Sequence, residues 1–149
     1  MNQHPSHPQH DLSIVDGLAQ LSHLVQGILG RVGAQHDLSI IQIRLLAILR
    51  DREPSMQQLA QHLNLDKSSI TGLIDRAAKR GLVERIPSPT DKRGFLVRVT
   101  DAGRQLIDVG GSEIISQLNA AVAAAGLSEA EQVQFAALAT RIIGANNTI

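Results

Sequence analysis

Lys67, Ser68, Ser69, Thr71 and Gly72 open a helix-length segment, with Arg76 and Lys79 following along it. Short hydroxyl side chains at a helix start make hydrogen bonds at close range, and the free amides there favour phosphate. A glycine at the sixth position lets the backbone itself approach a surface. Together these suit a helix that enters the major groove of DNA: its first residues reach base edges, and its later cations, Arg76, Lys79 and Arg80, hold phosphates. Further on, Asp91-Lys92-Arg93-Gly94 puts two cations on one turn. A guanidinium suits the narrow minor groove, where the negative potential is enhanced. Asp91, two residues before Arg93, is placed to pair with that arginine and aim it. Arg85 and Arg98 flank the turn and are expected to face the DNA backbone. Taken singly, these pieces also read as an ordinary polar helix start and a solvated turn. Taken in order, they favour a groove-binding module.

Charge placement points the same way. The chain of 149 residues carries 14 Lys+Arg and 14 Asp+Glu. From Asp66 to Arg104, however, nine basic side chains stand against five acidic ones, so that this segment is positive and the rest of the chain is equally negative. A neutral protein with one basic stretch fits a nucleic-acid-binding module on an acidic scaffold.

Elements that would position these groups follow from the pattern of apolar residues. Ile14, Leu18, Leu21, Val25, Ile28 and Val32 recur at helical spacing, predicting a helix over 12–32 with Gly33 as its stop. Leu24 and Leu29 widen its stripe, which would pack on its own domain or on a second chain. Ser39-Ile-Ile-Gln42 is a capping box that starts a helix apolar nearly all round. Ser55 to Gln58 is another, opening a short helix to about His62, and Asn64-Leu65 is the turn. Asp66 caps the next helix, to about Arg80, and Gly81 follows in a left-handed conformation. Leu82–Ile86 and Phe95–Val99 read as a hairpin. Thr100 caps a helix over 101–124, with Gly110-Gly111 expected to weaken or bend it. Ser128 to Glu131 caps a last helix to about Ile143. The fold class is mainly α with a small β-hairpin wing.

Composition narrows the function classes. A 43% hydrophobic, 19% charged chain is ordinary for one globular domain. No cysteine occurs, which removes disulfides, thiolate zinc sites and thiol redox chemistry. No apolar run approaches the roughly 18 residues of a membrane span. No Ser/His/Asp or paired-carboxylate arrangement has a sensible address, and no glycine-rich phosphate loop precedes a helix, so an enzyme is not expected. No cofactor and no metal are expected either. Residues 1–10, MNQHPSHPQH, hold His4, His7 and His10 between prolines and read as a disordered tail without a signal peptide.

With these residues in place, the chain resembles the MarR family of bacterial transcription regulators from about Leu12 to Gly144. The resemblance rests on Leu38-Ser39-x-x-Gln42, Leu59-Ala60, Ser69-x-Thr71 with Asp75-Arg76, and Lys79-Arg80-Gly81-Leu82-Val83-Glu84-Arg85. The wing motif Asp91-x-Arg93 leads to Val99-Thr100 and Gly103, with valine where the family usually has leucine. The resemblance implies one domain over 11–149: a winged helix-turn-helix lobe at 38–100, and dimerisation helices at 11–33 and 101–146. A cytoplasmic homodimer would present two recognition helices to a pseudo-palindromic operator, about one helical turn apart. Members are most often repressors released by a small ligand, typically a phenolic or aromatic acid, that lies between the dimerisation helices and the lobe.

Absence of cysteine excludes the family's peroxide-sensing branch, and absence of tyrosine and tryptophan leaves few rings for stacking. Candidate pocket groups are His23, His36 and Arg44, of which Arg44 would meet a carboxylate bidentately. The plainer reading is two half-exposed histidines and a locally paired arginine. A zinc site using His23, His36 or His62 is disfavoured because no metal-ligand spacing is visible. The alternative function is a winged-helix module that binds another protein and reads no DNA sequence.

Overall fold

Serine and aspartate side chains begin most of the helices, as the local sequence dictates. In the computed structural model, which describes residues 11–147, Ser39, Ser55 and Ser128 each accept the backbone amide three residues on. The Gln or Glu at that position reaches back to complete the capping box. The elements so started are α1 (Ile14–Gln35), α2 (Ile40–Leu49), α3 (Met56–Leu63), α4 (Lys67–Lys79), β1 (Val83–Pro87), β2 (Phe95–Val99), α5 (Asp101–Ala124) and α6 (Glu129–Asn146). The chain divides into two compact units, one ending at Ile114 and the other beginning at Ile115. The histidines of the N-terminal tail lie outside the described residues.

The first unit holds the core. Leu45 and Leu49 of α2, Leu59 of α3, Ile70, Leu73 and Ile74 of α4, and Val97 of β2 are all fully buried. α3 and α4 are joined by Asn64 in the left-handed region (φ 52°), where the Leu65 amide donates back to Ala60. Asparagine tolerates this conformation better than other side chains, so the turn is set by one residue. Gly81 plays the same part after α4, at φ 72°, and the Leu82 amide donates to Ala77. β1 and β2 pair antiparallel, with Val83 opposite Val99 and Glu84 opposite Arg98. A single bridge between Ser55 and Leu96, with the Val97 amide donating to the Pro54 carbonyl, ties the start of α3 to β2. The sequence had offered no strand there.

Gly33 does not stop α1. The helix runs on to Gln35 and turns at Asp37, which takes the left-handed conformation (φ 53°). Gly33 is needed for a different reason: a Cβ there would overlap the Leu38 carbonyl oxygen, and that close approach brings α1 onto α2. Gly103 likewise lets α5 lie against the Leu82 carbonyl. α5 continues unbroken through Gly110-Gly111.

In the second unit, α6 has no buried residue. No single helix among the described residues is long and apolar enough to cross a membrane. α1 and α2 together match the length and composition, but they are bent by 89°.

Candidate nucleic-acid interface

α4 buries Ile70, Leu73, Ile74 and Ala77, and this fixes which residues it turns outward. Lys67, Ser68, Ser69, Thr71, Asp75, Arg76 and Lys79 are exposed, and Gly72 is half-buried. Asp66 holds the helix start, accepting from the Ser69 amide at 2.7 Å and from the Ser68 hydroxyl at 3.0 Å. The Ser69 amide, followed by the Ser69 and Ser68 side chains, keeps the Asp66 carboxyl below the ordinary aspartate range. Thr71 donates its hydroxyl proton to the Lys67 carbonyl at 2.8 Å, which leaves its oxygen lone pairs facing outward as acceptors.

The exposed face of α4 is not flat. Ser68, Ser69, Gly72 and Arg76 line a groove of about 390 Å³ together with Ile41 and Leu65. A Cβ at Gly72 would sit 3.1 Å from the Arg76 guanidinium, so the space the glycine leaves is taken by that side chain. Gly72 thereby lets Arg76 lie along the helix.

The basic residues divide into two sets. Arg85, expected to face outward from the hairpin, instead donates to the Asp75 carboxylate and ties β1 to α4. Arg98 donates from Nε (2.9 Å) and Nη2 (2.7 Å) to Glu84, its cross-strand neighbour, and this hydrogen bond raises the arginine pKa further. Arg80 donates to the carbonyls of Asp37 (2.6 Å) and His36 (3.0 Å), so it braces α4 against the end of α1 rather than standing free for phosphate. Among the described residues, no ion pair involves Lys67, Arg76, Lys79, Lys92 or Arg93. Between Asp66 and Val99, the cations whose side chains have no internal partner therefore lie on α4 and at the hairpin tip.

At that tip, Asp91 does not pair with the Arg93 guanidinium. Its carboxylate accepts the Arg93 backbone amide at 3.0 Å, while the Gly94 amide donates to the Asp91 carbonyl at 3.1 Å. A Cβ on Gly94 would come within 2.9 Å of the Asp91 carboxylate. Asp91 thus shapes the turn and leaves the guanidinium unpaired, by a local Asx-type bond that is available within two residues.

The three suggested pocket groups do not converge. His23 and Arg44 are exposed. Only His36 lines an apolar cavity of about 100 Å³, whose walls include Val32, Leu46, Ile107 and Ile114. Its Nε2 is buried without a hydrogen-bond partner, 3.8 Å from the Glu113 carboxylate. Arg50, which the sequence did not single out, also lines this cavity. No cluster of three metal-ligating side chains occurs among the described residues.

Residues 36–94 match the model of the MarR family. The chain is 31% identical over 112 residues to the transcriptional repressor NicR of Pseudomonas putida, covering 70% of this chain and 71% of that protein. Its fold is shared with NadR, solved in complex with 4-hydroxyphenylacetate (TM-score 0.73, 24% identity, 93% of this chain and 97% of that one). It is shared equally with MepR of S. aureus, solved in complex with DNA (TM-score 0.73, 19% identity, 91% of this chain and 99% of that one). The relatives are transcriptional regulators, not enzymes.

Proposed function

The chain belongs to the MarR family of transcriptional regulators, and on that premise we propose that it is a cytoplasmic bacterial homodimer that represses transcription from a pseudo-palindromic operator and lets go when a small ligand binds. One observation carries the DNA reading: within the basic segment from Asp66 to Val99, the cations without an internal partner lie on α4 and at the hairpin tip, whereas Arg80, Arg85 and Arg98 are held within the lobe. Lys67, Ser68, Ser69 and Thr71 are assigned to the major groove, and Arg76 and Lys79 to phosphate. Lys92 and Arg93 are assigned to the minor groove, with Asp91 and Gly94 shaping their turn. Arg85 and Arg98 act indirectly, by holding the hairpin.

Exposed apolar side chains support the dimer. Ile14, Val15 and Leu18 of α1 and, separately, Val133, Phe135 and Ile143 of α6 face outward in the single chain. Many large apolar side chains left in water are the kind of surface an interface covers. The division follows: residues 38–100 form the DNA-binding lobe, and 11–33 with 101–146 form the dimerisation helices.

The cavity beside His36 supports ligand control. NadR was solved with 4-hydroxyphenylacetate, and a phenolic or aromatic acid is the class we assign here, with His36 and Arg50 as its polar contacts. Selection from random duplexes by the purified protein tests the whole reading. Enrichment of a two-fold symmetric sequence is expected. Recovery of unrelated duplexes would overturn it in favour of a winged helix that serves a protein partner.

A further inference from the structure

The cavity and the recognition helix share one short piece of chain. His36 turns its ring into the cavity, and its backbone carbonyl accepts Arg80 from the end of α4. The next carbonyl, Asp37, accepts the other arm of the same guanidinium, on a residue held in the left-handed conformation. A two-armed donor across 43 residues of sequence fixes both carbonyls in direction as well as distance. We propose that Arg80 is a positioning residue that couples occupancy of the His36 cavity to the placement of the recognition helix, through its paired hydrogen bonds to the carbonyls of His36 and Asp37. The proposal rests on the ligand-responsive reading above.

Size gives occupancy a reason to press on this junction. At about 100 Å³ the cavity is smaller than the roughly 150 Å³ space known to admit benzene. An aromatic ligand that fills it therefore presses on its walls. The His36 ring is a loosely held part of that wall: its Nε2 has no hydrogen-bond partner, and the Glu113 carboxylate stands 3.8 Å away. Gly33 and Leu38 on either side are pinned: the Leu38 amide donates to Gly33, and the Leu38 carbonyl packs on the Gly33 backbone. A shift of the ring thus turns the 36–37 peptide, and the Arg80 fork follows it. Through Arg80 the movement reaches the last turn of α4, which carries Arg76 and Lys79.

The test needs neither operator nor ligand. A side chain at Gly110 would start 3.9 Å from the His36 ring, so Gly110→Leu presses on it from α5. Hydrogen–deuterium exchange of residues 67–79 is compared in the full chain for wild type, Gly110→Leu, Arg80→Gln and the double variant. Gly110→Leu is expected to raise exchange in α4 about tenfold in the wild-type background, and less than about twofold when Arg80 is glutamine. Arg80→Lys, which keeps the charge but not the fork, should behave as the glutamine does. An equal rise in all backgrounds, or none in wild type, would overturn the proposal. Should Gly110→Leu fail to fold, Ala47→Leu enters the same cavity from α2 and carries the same comparison. Failure of the DNA-binding reading would appear instead in the duplex selection, which this measurement does not use.

Discussion

The lobe that carries the recognition helix and the helices at the chain ends use the same apolar residue types at similar spacing, yet they end in opposite states. In the lobe, Leu45, Leu59 and Ile74 are 0% exposed. On α6, Val133 is 68% exposed and Phe135 55%, and α1 shows both states, with Ile28 and Val32 buried while Ile14 is 71% exposed. Periodicity defines which face of a helix is apolar. What covers that face depends on whether the chain supplies the partner surface itself. The lobe does, and the outer turns of α1 and α6 do not. Apolar area left in water forgoes about 25 cal/mol per Å², so these are the faces that the proposed dimer would cover.

The comparison breaks most sharply in the core. Leu73→Ala should destabilise the protein by about 2–5 kcal/mol in urea titrations, and Val133→Ala should change the transition mainly through its dependence on protein concentration. If both variants lose the same amount at every concentration, the two regions do not differ as described. Next, Ile142→Glu or Leu118→Glu should place a charge in the inter-chain contact at a cost of about 3 kcal/mol or more. Sedimentation should then show a folded monomer, and a folded dimer would remove these helices from the interface.

Within the lobe, the contrast lies between free and committed cations. Arg93→Ala should weaken operator binding by about 1–3 kcal/mol with the dimer intact. Arg98→Ala should do less, because Glu84 already holds that guanidinium. Titrations of labelled duplex decide this, and an equal loss would mean that Arg98 also reaches DNA. Thr71→Ala should reduce discrimination between operator and random duplex by roughly 1–3 kcal/mol. A uniform loss on both would assign Thr71 to phosphate.

The smallest effect expected is at Asp66. Its carboxyl is depressed by the Ser69 amide, so its stabilisation is complete above the ordinary aspartate pKa and is lost as pH falls through the lower folded value. Any stability advantage over Asp66→Asn, whose neutral cap does not titrate, should shrink on acidification below about pH 4. Thermal melts across that range check the sign.

Much of this fold was readable because its signals are local. Ser39 with Gln42, Asn64 in its turn and Gly81 after α4 each act within three or four residues. Arg98, expected to face the DNA backbone, is instead held by Glu84, which the hairpin register sets opposite it. The expectations that changed were those settled by distant partners. Gly33 lies inside α1 and makes room for the Leu38 carbonyl, Arg80 is claimed by the end of α1, and Arg85 by Asp75. Asp91 is the exception: a nearby backbone amide competed successfully with the guanidinium. His23 and Arg44 had no pattern linking them to His36, and in the structure both stand exposed.

The most direct test of sequence-specific DNA binding is fluorescence anisotropy of the full chain on duplex from upstream of its own gene, against shuffled duplex, at stepped salt concentrations, with Arg93→Ala in parallel. Preference for the upstream duplex is expected, with a log–log salt slope near −0.9 per neutralised phosphate and clear weakening in the variant. Equal affinity for both duplexes, or binding that Arg93→Ala leaves unchanged, would contradict the assignment of α4 and the hairpin tip as a DNA-reading surface.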